Sequence, residues 1–293
     1  MLPIILALGS NISFATASLF FTDFAKKISP TWVNYFKAFL AFFCFLICML
    51  VFQVSFQLPL QIFFMLVLSG IVGLMIGDIF LLKSFTELGS GRVLMIFGFQ
   101  PLILGAASYF LFNEHFSLTR LIAILFLIGC LLCFSIESFK EKGHWGLKGI
   151  AFALVGIILD ATGLLLTKSV FNLMPDLSVF LVNFIRSGAT VIGFFIVSLV
   201  PMFGLKLWAP FKKLNKKDKI TISFASVLGT FLSLTFYLKA VQIGHLATIS
   251  AIVGTSPLFA TVFEIVRGRK KLTLHLAFAV VFFICGVSIL LFL

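Results

Sequence analysis

Charged side chains are scarce in this chain: 10 Asp and Glu with 22 Lys and Arg in 293 residues, 11% in all. A soluble domain carries about 25%. Hydrophobic residues make up 61%, including 40 phenylalanines. Too little polar surface remains to coat a core of that size. A soluble enzyme, a nucleic-acid-binding domain and a disordered chain are excluded as whole-chain readings. Motifs are missing too. No GxxxxGK-S/T loop is present, which excludes an ATPase motor in this chain, and neither HExxH nor GxSxG occurs. His115, His144, His245 and His275 are too scattered for a metal site. No catalytic residue, metal or cofactor is therefore assigned.

The net charge is +12. Its basic residues sit in short connections between apolar runs, so they read as topology signals and not as a nucleic-acid surface. Cys44, Cys48, Cys130, Cys133 and Cys285 all lie inside apolar runs. Cys130 and Cys133 form a C-x-x-C without a second ligand pair, which reads as packing. The apolar N-terminal stretch lacks a basic leader and runs on as a full span, so the first helix is expected to insert and stay.

A hydrocarbon layer about 30 Å thick needs about 20 apolar residues per helix. The apolar runs yield ten spans, at 3–22, 31–52, 60–82, 91–112, 119–136, 147–168, 178–200, 219–240, 246–266 and 273–292. The connections are too short to hold an extramembrane domain, so function must lie between the helices.

The chain also resembles itself. A shift of 156 residues sets Gly73 on Gly229, Lys83 on Lys239, Gly98 on Gly254 and Pro101 on Pro257. A shift of 149 sets Asn34-x-x-Lys37 on Asn183-x-x-Arg186, and Asn11 on Asp160. Each half then has five spans, and an odd number makes the second half enter the membrane upside down. The expected fold is all-α integral membrane, ten transmembrane helices as two inverted five-helix repeats, at 1–140 and 141–293. Secondary transporters use such repeats to alternate access around a central site.

With these residues in place the chain resembles the drug/metabolite transporter superfamily, specifically its EamA branch. The likeness rests on the five-plus-five repeat, a basic residue early in spans 2 and 7, and a proline midway along spans 4 and 9. It covers nearly the whole chain, including Leu88-Gly89 through Pro101-Leu102 and Asn113-Glu114-His115-Phe116-Ser117. The position matching Glu114 in the second half is Lys270, so Glu114 is not counted as functional. The resemblance allows amino acids, nucleotide sugars, S-adenosyl compounds or amphipathic drugs as cargo.

Charge asymmetry sets the orientation. Seventeen Lys and Arg fall on the side of loops 1–2, 3–4, 5–6, 7–8 and 9–10, against Arg120, Lys168 and Lys239 on the other. The basic loops are expected in the cytoplasm and both termini outside. Described superfamily members mostly keep their termini inside, but the charge count acts on this chain's own insertion.

Ionisable groups in a span cost about 2.5–3.5 kcal/mol each at mid-helix on insertion scales, so each needs a partner or a wet cavity. Depth along the spans suggests two ion pairs, Lys37–Asp78 and Asp160–Arg186. Either these pairs only pin helices together, or one basic residue is left for a substrate and Asp160 carries a coupling proton. Gln100-Pro101 and Ser256-Pro257 sit mid-span, where proline frees a carbonyl and kinks the helix. Pro101 and Pro257 are hinge candidates. The substrate site is expected to be lined by Asn11, Lys37, Gln100, Asp160, Arg186 and Ser256, with Asp78 and Asp160 in ion pairing or proton coupling. The expected function is secondary transport of a small anionic or zwitterionic metabolite across a bacterial-type plasma (inner) membrane. The expected partners are that solute and the lipid bilayer, with no nucleic acid. Proton coupling is an option, and the assembly is a monomer or a homodimer. The alternative is a non-transporting membrane component, such as a lipid-handling enzyme or an assembly partner.

Overall fold

The computed structural model describes residues 1–113, 117–142, 146–266 and 273–291, and every regular element among them is helical. Ten long helices follow one another, with only the short turns Pro201–Phe203 and Ala209–Lys213 besides: α1 (Leu2–Lys27), α2 (Pro30–Val51), α3 (Leu60–Leu88), α4 (Ser90–Phe112), α5 (Leu118–Lys142), α6 (Leu147–Leu173), α7 (Val179–Leu199), α8 (Lys216–Ile243), α9 (Leu246–Gly254 and Ser256–Val266) and α10 (Leu274–Leu291). Eight are long and apolar enough to cross a membrane. The other two, α5 and α10, contain the shorter apolar stretches Leu121–Cys133 and Leu274–Leu290. Glu114, His144, Trp145, Arg267, Arg269, Lys270 and Lys271 lie outside the described residues.

Local chemistry sets the helix ends. Pro30 opens α2, and the Ser29 hydroxyl accepts from the Trp32 amide at 3.1 Å. The Asn215 side chain caps α8 by accepting from the Asp218 amide at 2.7 Å. Gly89, at φ +84°, turns the chain from α3 into α4 in one residue, a conformation that favours glycine. Two polar or amphipathic residues near helix starts are buried. Arg92 falls within the first turn of α4 and is buried. Trp32 is buried as well, with its indole N–H on the Leu207 carbonyl at 2.9 Å, so it pins the α7–α8 connection.

Equivalent helices of the two halves pack on each other. Helix α2 packs on α7, α4 on α9 and α5 on α10, while α1 takes α8 and α3 takes α6. Ring contacts give the direction of the first pair: Tyr35 meets Phe194 at 6.2 Å, Phe42 meets Phe184 at 4.8 Å and Phe52 meets Phe180 at 5.4 Å. As one number rises the other falls, so equivalent helices run antiparallel, as an inverted repeat requires. A single operation exchanging the halves explains all five pairings.

The same symmetry appears within the helices. Both α3 and α8 widen into π-helix, at Gly70–Gly77 and Val227–Leu232, and these stretches coincide under the 156-residue shift. Such widening leaves backbone carbonyls without their usual donors and is frequent at functional sites. Asn34 donates to the Leu74 and Met75 carbonyls at 3.0 and 2.8 Å, and its repeat mate Asn183 donates to the Leu234 carbonyl at 3.5 Å.

The apolar core consists of two large clusters, with a small third one around Cys130. One gathers Ile4, Leu66, Leu104, Leu164 and Leu238, and the other gathers Phe21, Trp32, Leu81, Val93 and Ile222. Between them, along the helix axes, lies a polar layer that contains Ser10, Asn11, Gln100, Asp160 and Ser233.

Candidate functional site

That layer contains a cavity of about 100 Å³. Both halves line it. Lys37, Asp78 and Gln100 come from α2, α3 and α4, and Asp160, Ser233, Tyr237 and Ser256 from α6, α8 and α9.

Lys37 and Asp78 form an ion pair, with Nζ 2.6 Å from Oδ2 and both side chains nearly withdrawn from solvent. The Lys37 ammonium also lies 5.5 Å from the centre of the Phe21 ring. The pairing inferred from depth for the first half is therefore made.

The second half behaves differently. Asp160 and Arg186 do not form the expected pair: among the described residues, Asp160 has no basic nitrogen within 4 Å. Its Oδ2 accepts instead from Gln100 Nε2 at 2.6 Å. Arg186 is 2% exposed, does not line the cavity, and leaves its Nε and Nη1 without hydrogen-bond partners. It lies against α3, where Gly70 packs on its backbone and its Nη2 lies 3.7 Å from where a Gly73 Cβ would sit. The two groups share a depth, but depth along a span does not fix which way each side chain turns about its helix axis.

Asn11 is also displaced from its expected role. It is fully buried and absent from the cavity wall, and its Nδ2 donates to the Ile252 carbonyl at 2.7 Å and to Thr255 Oγ1 at 2.9 Å. It thus holds α1 against the interruption in α9.

Both proline-bearing helices are interrupted: α4 between Phe97 and Gln100, and α9 at Thr255. Pro257 has no N–H for the Val253 carbonyl four residues earlier, and Ser256 Oγ supplies one at 2.6 Å. At the equivalent place in α4 stands Gln100, whose side chain reaches across to Asp160. The two interruptions meet. A methyl group on Gly98 would lie 3.0 Å from the Gly254 carbonyl oxygen, and one on Gly254 would lie 3.3 Å from the Gly98 Cα. Glycine at both positions lets the broken helices cross backbone to backbone.

The description EamA-like transporter family matches residues 1–136 and again 147–292. The chain belongs to the EamA-like transporter family. An uncharacterized transporter of Archaeoglobus fulgidus is 22% identical over 293 residues, which is 99% of this chain and 98% of that protein. A chloroplastic WAT1-related protein of Arabidopsis thaliana is 22% identical over 188 residues, 63% of this chain. That match spans 44% of the plant protein's length. One solved crystal structure superposes with a TM-score of 0.77 at 13% identity, covering 98% of this chain and 96% of that one, and shows the fold.

Within this EamA-family fold the sequence reading missed several cavity residues. Ser10 and Ser233 share a hydrogen bond at 3.1 Å across α1 and α8. Tyr237 lines the cavity with its buried hydroxyl unpartnered, and Thr230 does the same. The signal was present, because Thr230, Ser233 and Tyr237 are polar residues in the middle of an apolar span. Cys130, by contrast, serves packing: it is buried among Met95, Leu258, Leu276 and Ala279. Among the described residues no group of His, Cys, Asp and Glu is placed to hold a metal.

Proposed function

We propose that this protein is a secondary transporter that moves a small polar metabolite across the plasma membrane by alternating access. The observation that carries this reading is the polar cavity between two apolar clusters, lined by both halves. It holds Lys37, Asp78 and Asp160, charges that are costly in a membrane unless a wet or ligand-filled site repays them.

On this reading residues 1–140 and 141–293 are the two units that rock against each other. The crossing of α4 and α9 beside Pro101 and Pro257 is their pivot. The apolar clusters above and below the polar layer act as alternate gates, since opening one while the other stays packed admits water from one side only. The charged groups favour an anionic or zwitterionic substrate, such as an amino acid or a related metabolite. Asp160 is the candidate for proton coupling. The basic loops face the cytoplasm and both termini lie outside.

Purified protein in proteoliposomes, offered a panel of radiolabelled amino acids, organic acids and sugar phosphates with and without a pH gradient, tests the proposal. Accumulation of at least one solute above protein-free vesicles is expected. Impermeability to the whole panel under every gradient would count against transport.

A further inference from the structure

The connection from α7 to α8 is strongly basic. Residues 201–219 hold six lysines, Lys206, Lys212, Lys213, Lys216, Lys217 and Lys219, against one acid, Asp218. Asp218 is taken by Lys27 of α1. Among the described residues, Lys206, Lys212, Lys213, Lys216 and Lys217 are exposed and have no carboxylate within 4 Å. Chain insertion asks for positive charge in a loop but not for a loop that is folded. This one is folded. Its Leu207 carbonyl accepts from the Trp32 indole at 2.9 Å, and Phe211 stacks on Phe36 at 5.0 Å. Trp208 stands edge-on to Phe39 at 4.8 Å, and Leu214 is buried. The connection is thus a strap fastened to the start of α2, with its lysines left exposed. Its depth is set by what flanks it. Ile196 and Leu199 at the end of α7, and Ile220 and Phe224 at the start of α8, are exposed apolar side chains that face hydrocarbon in a bilayer. Lys216, Ile220 and Phe224 follow at steps of four along one face of α8, so the lysine stands where that face leaves the hydrocarbon. The exposed Trp208 ring suits the same level.

We propose that this strap is a docking site for anionic phospholipids, whose headgroup phosphates take the lysines that the protein leaves unpaired. A phosphodiester is the anion that the bilayer supplies at this level. A zwitterionic headgroup already carries its own cation and gives the lysines little. The equivalent connection of the first half, residues 52–59, has no charged residue, so one membrane face alone is addressed. Phe36 stacks on the strap and the next residue, Lys37, lines the cavity, so a bound lipid ties the start of α2 to the membrane surface. The inference needs only that the chain spans a bilayer and does not rest on the transporter reading.

The test uses the full chain in phosphatidylcholine nanodiscs, titrated with brominated phosphatidylglycerol or brominated phosphatidylcholine. Quenching of Trp208, taken as the difference between the unmodified chain and Trp208→Phe, reports lipid at the strap. Phosphatidylglycerol is expected to reach half-quenching at about one-tenth of the phosphatidylcholine fraction or less, since each lysine near an anionic surface contributes about fivefold. The preference is expected to fade with added salt. Lys212→Gln, Lys213→Gln, Lys216→Gln and Lys217→Gln together are expected to abolish it, and arginine at the same four positions to keep it. Lys83→Gln with Lys148→Gln is expected to keep it too, because Lys83 lies over the Phe80 ring and Lys148 pairs with Glu87, away from the strap. Equal quenching by the two lipids on the unmodified chain overturns the proposal and needs no variant to fold. So does a preference that survives the four glutamines. Inorganic phosphate that displaces the lipid better than chloride at equal ionic strength points to a site for a soluble anion and overturns it as well.

Discussion

Lys37 and Asp78 are bonded at 2.6 Å across α2 and α3, and the residues in their places in the other half, Arg186 and Leu234, have no such bond to make. The fold is symmetric in its helix pairing, its π-helical stretches and its interrupted helices. Its charges are not. That inequality is where chemistry enters a scaffold built by repetition.

The ion pair is a stability element as well as a site element. Asp78→Asn or Lys37→Gln leaves one buried charge alone, and each is expected to destabilise the protein by about 3–5 kcal/mol. The double variant removes both charges and is expected to recover much of that loss. Thermal unfolding of the four proteins in detergent gives the coupling directly. Additive losses would mean that the two charges do not depend on each other.

Close helix crossings depend on missing side chains. A methyl group on Gly163 would lie 2.9 Å from the Gly73 Cα and 3.0 Å from the Ser69 carbonyl oxygen, so backbone would have to move. Gly163→Ala is expected to cost about 1–3 kcal/mol, as overpacking does. Gly91, in the first turn of α4, has nothing within 4 Å of a new Cβ. Gly91→Ala is expected to leave the melting temperature unchanged or slightly raised, which serves as the control.

Much of this architecture was readable from the residues. Spacing of apolar runs located the helices, because hydrocarbon thickness fixes how many residues a span needs. The two shifts located the repeat, and the prolines located both interruptions. The depth of Lys37 and Asp78 paired them correctly. The same reasoning mispaired Asp160 with Arg186, because rotation about a helix axis leaves no trace in depth. It also set Asn11 on the cavity wall, although its amide is taken up by the Ile252 carbonyl and the Thr255 hydroxyl of α9. The π-helical stretches have no signature in the residues, since Gly70, Gly73 and Gly77 suit the close-packed face of an ordinary helix equally well. Trp32 opens a span, the usual place of an interface anchor, but a long connection folds back over it and buries it.

Asn11 and Asp160 are repeat mates with separable roles. Asn11→Ala removes two hydrogen bonds at the α9 interruption and is expected to lower stability by about 1–3 kcal/mol, the range for leaving a buried partner unsatisfied. It is expected to change ligand affinity little, because Asn11 does not line the cavity. Asp160→Asn is expected to do the reverse, with ligand binding lost and the Gln100 contact kept. Thermal unfolding and ligand titration on both variants separate the two roles.

Orientation has its own test. Loop charge predicts both termini outside the cytoplasm. A C-terminal alkaline phosphatase fusion is expected to be active and a C-terminal fluorescent protein fusion dark. The opposite pattern would place the basic loops outside and reverse the proposed orientation.

The account stands on a cavity that water reaches from either face in turn. Ser233, on the wall at α8, is the place to ask. With the five native cysteines replaced, Ser233→Cys is exposed to a membrane-impermeant maleimide, in separate experiments, from each side of oriented vesicles. The account predicts labelling from each face when the reagent is applied alone. A cysteine that reacts from neither face, while a loop control labels normally, would contradict it.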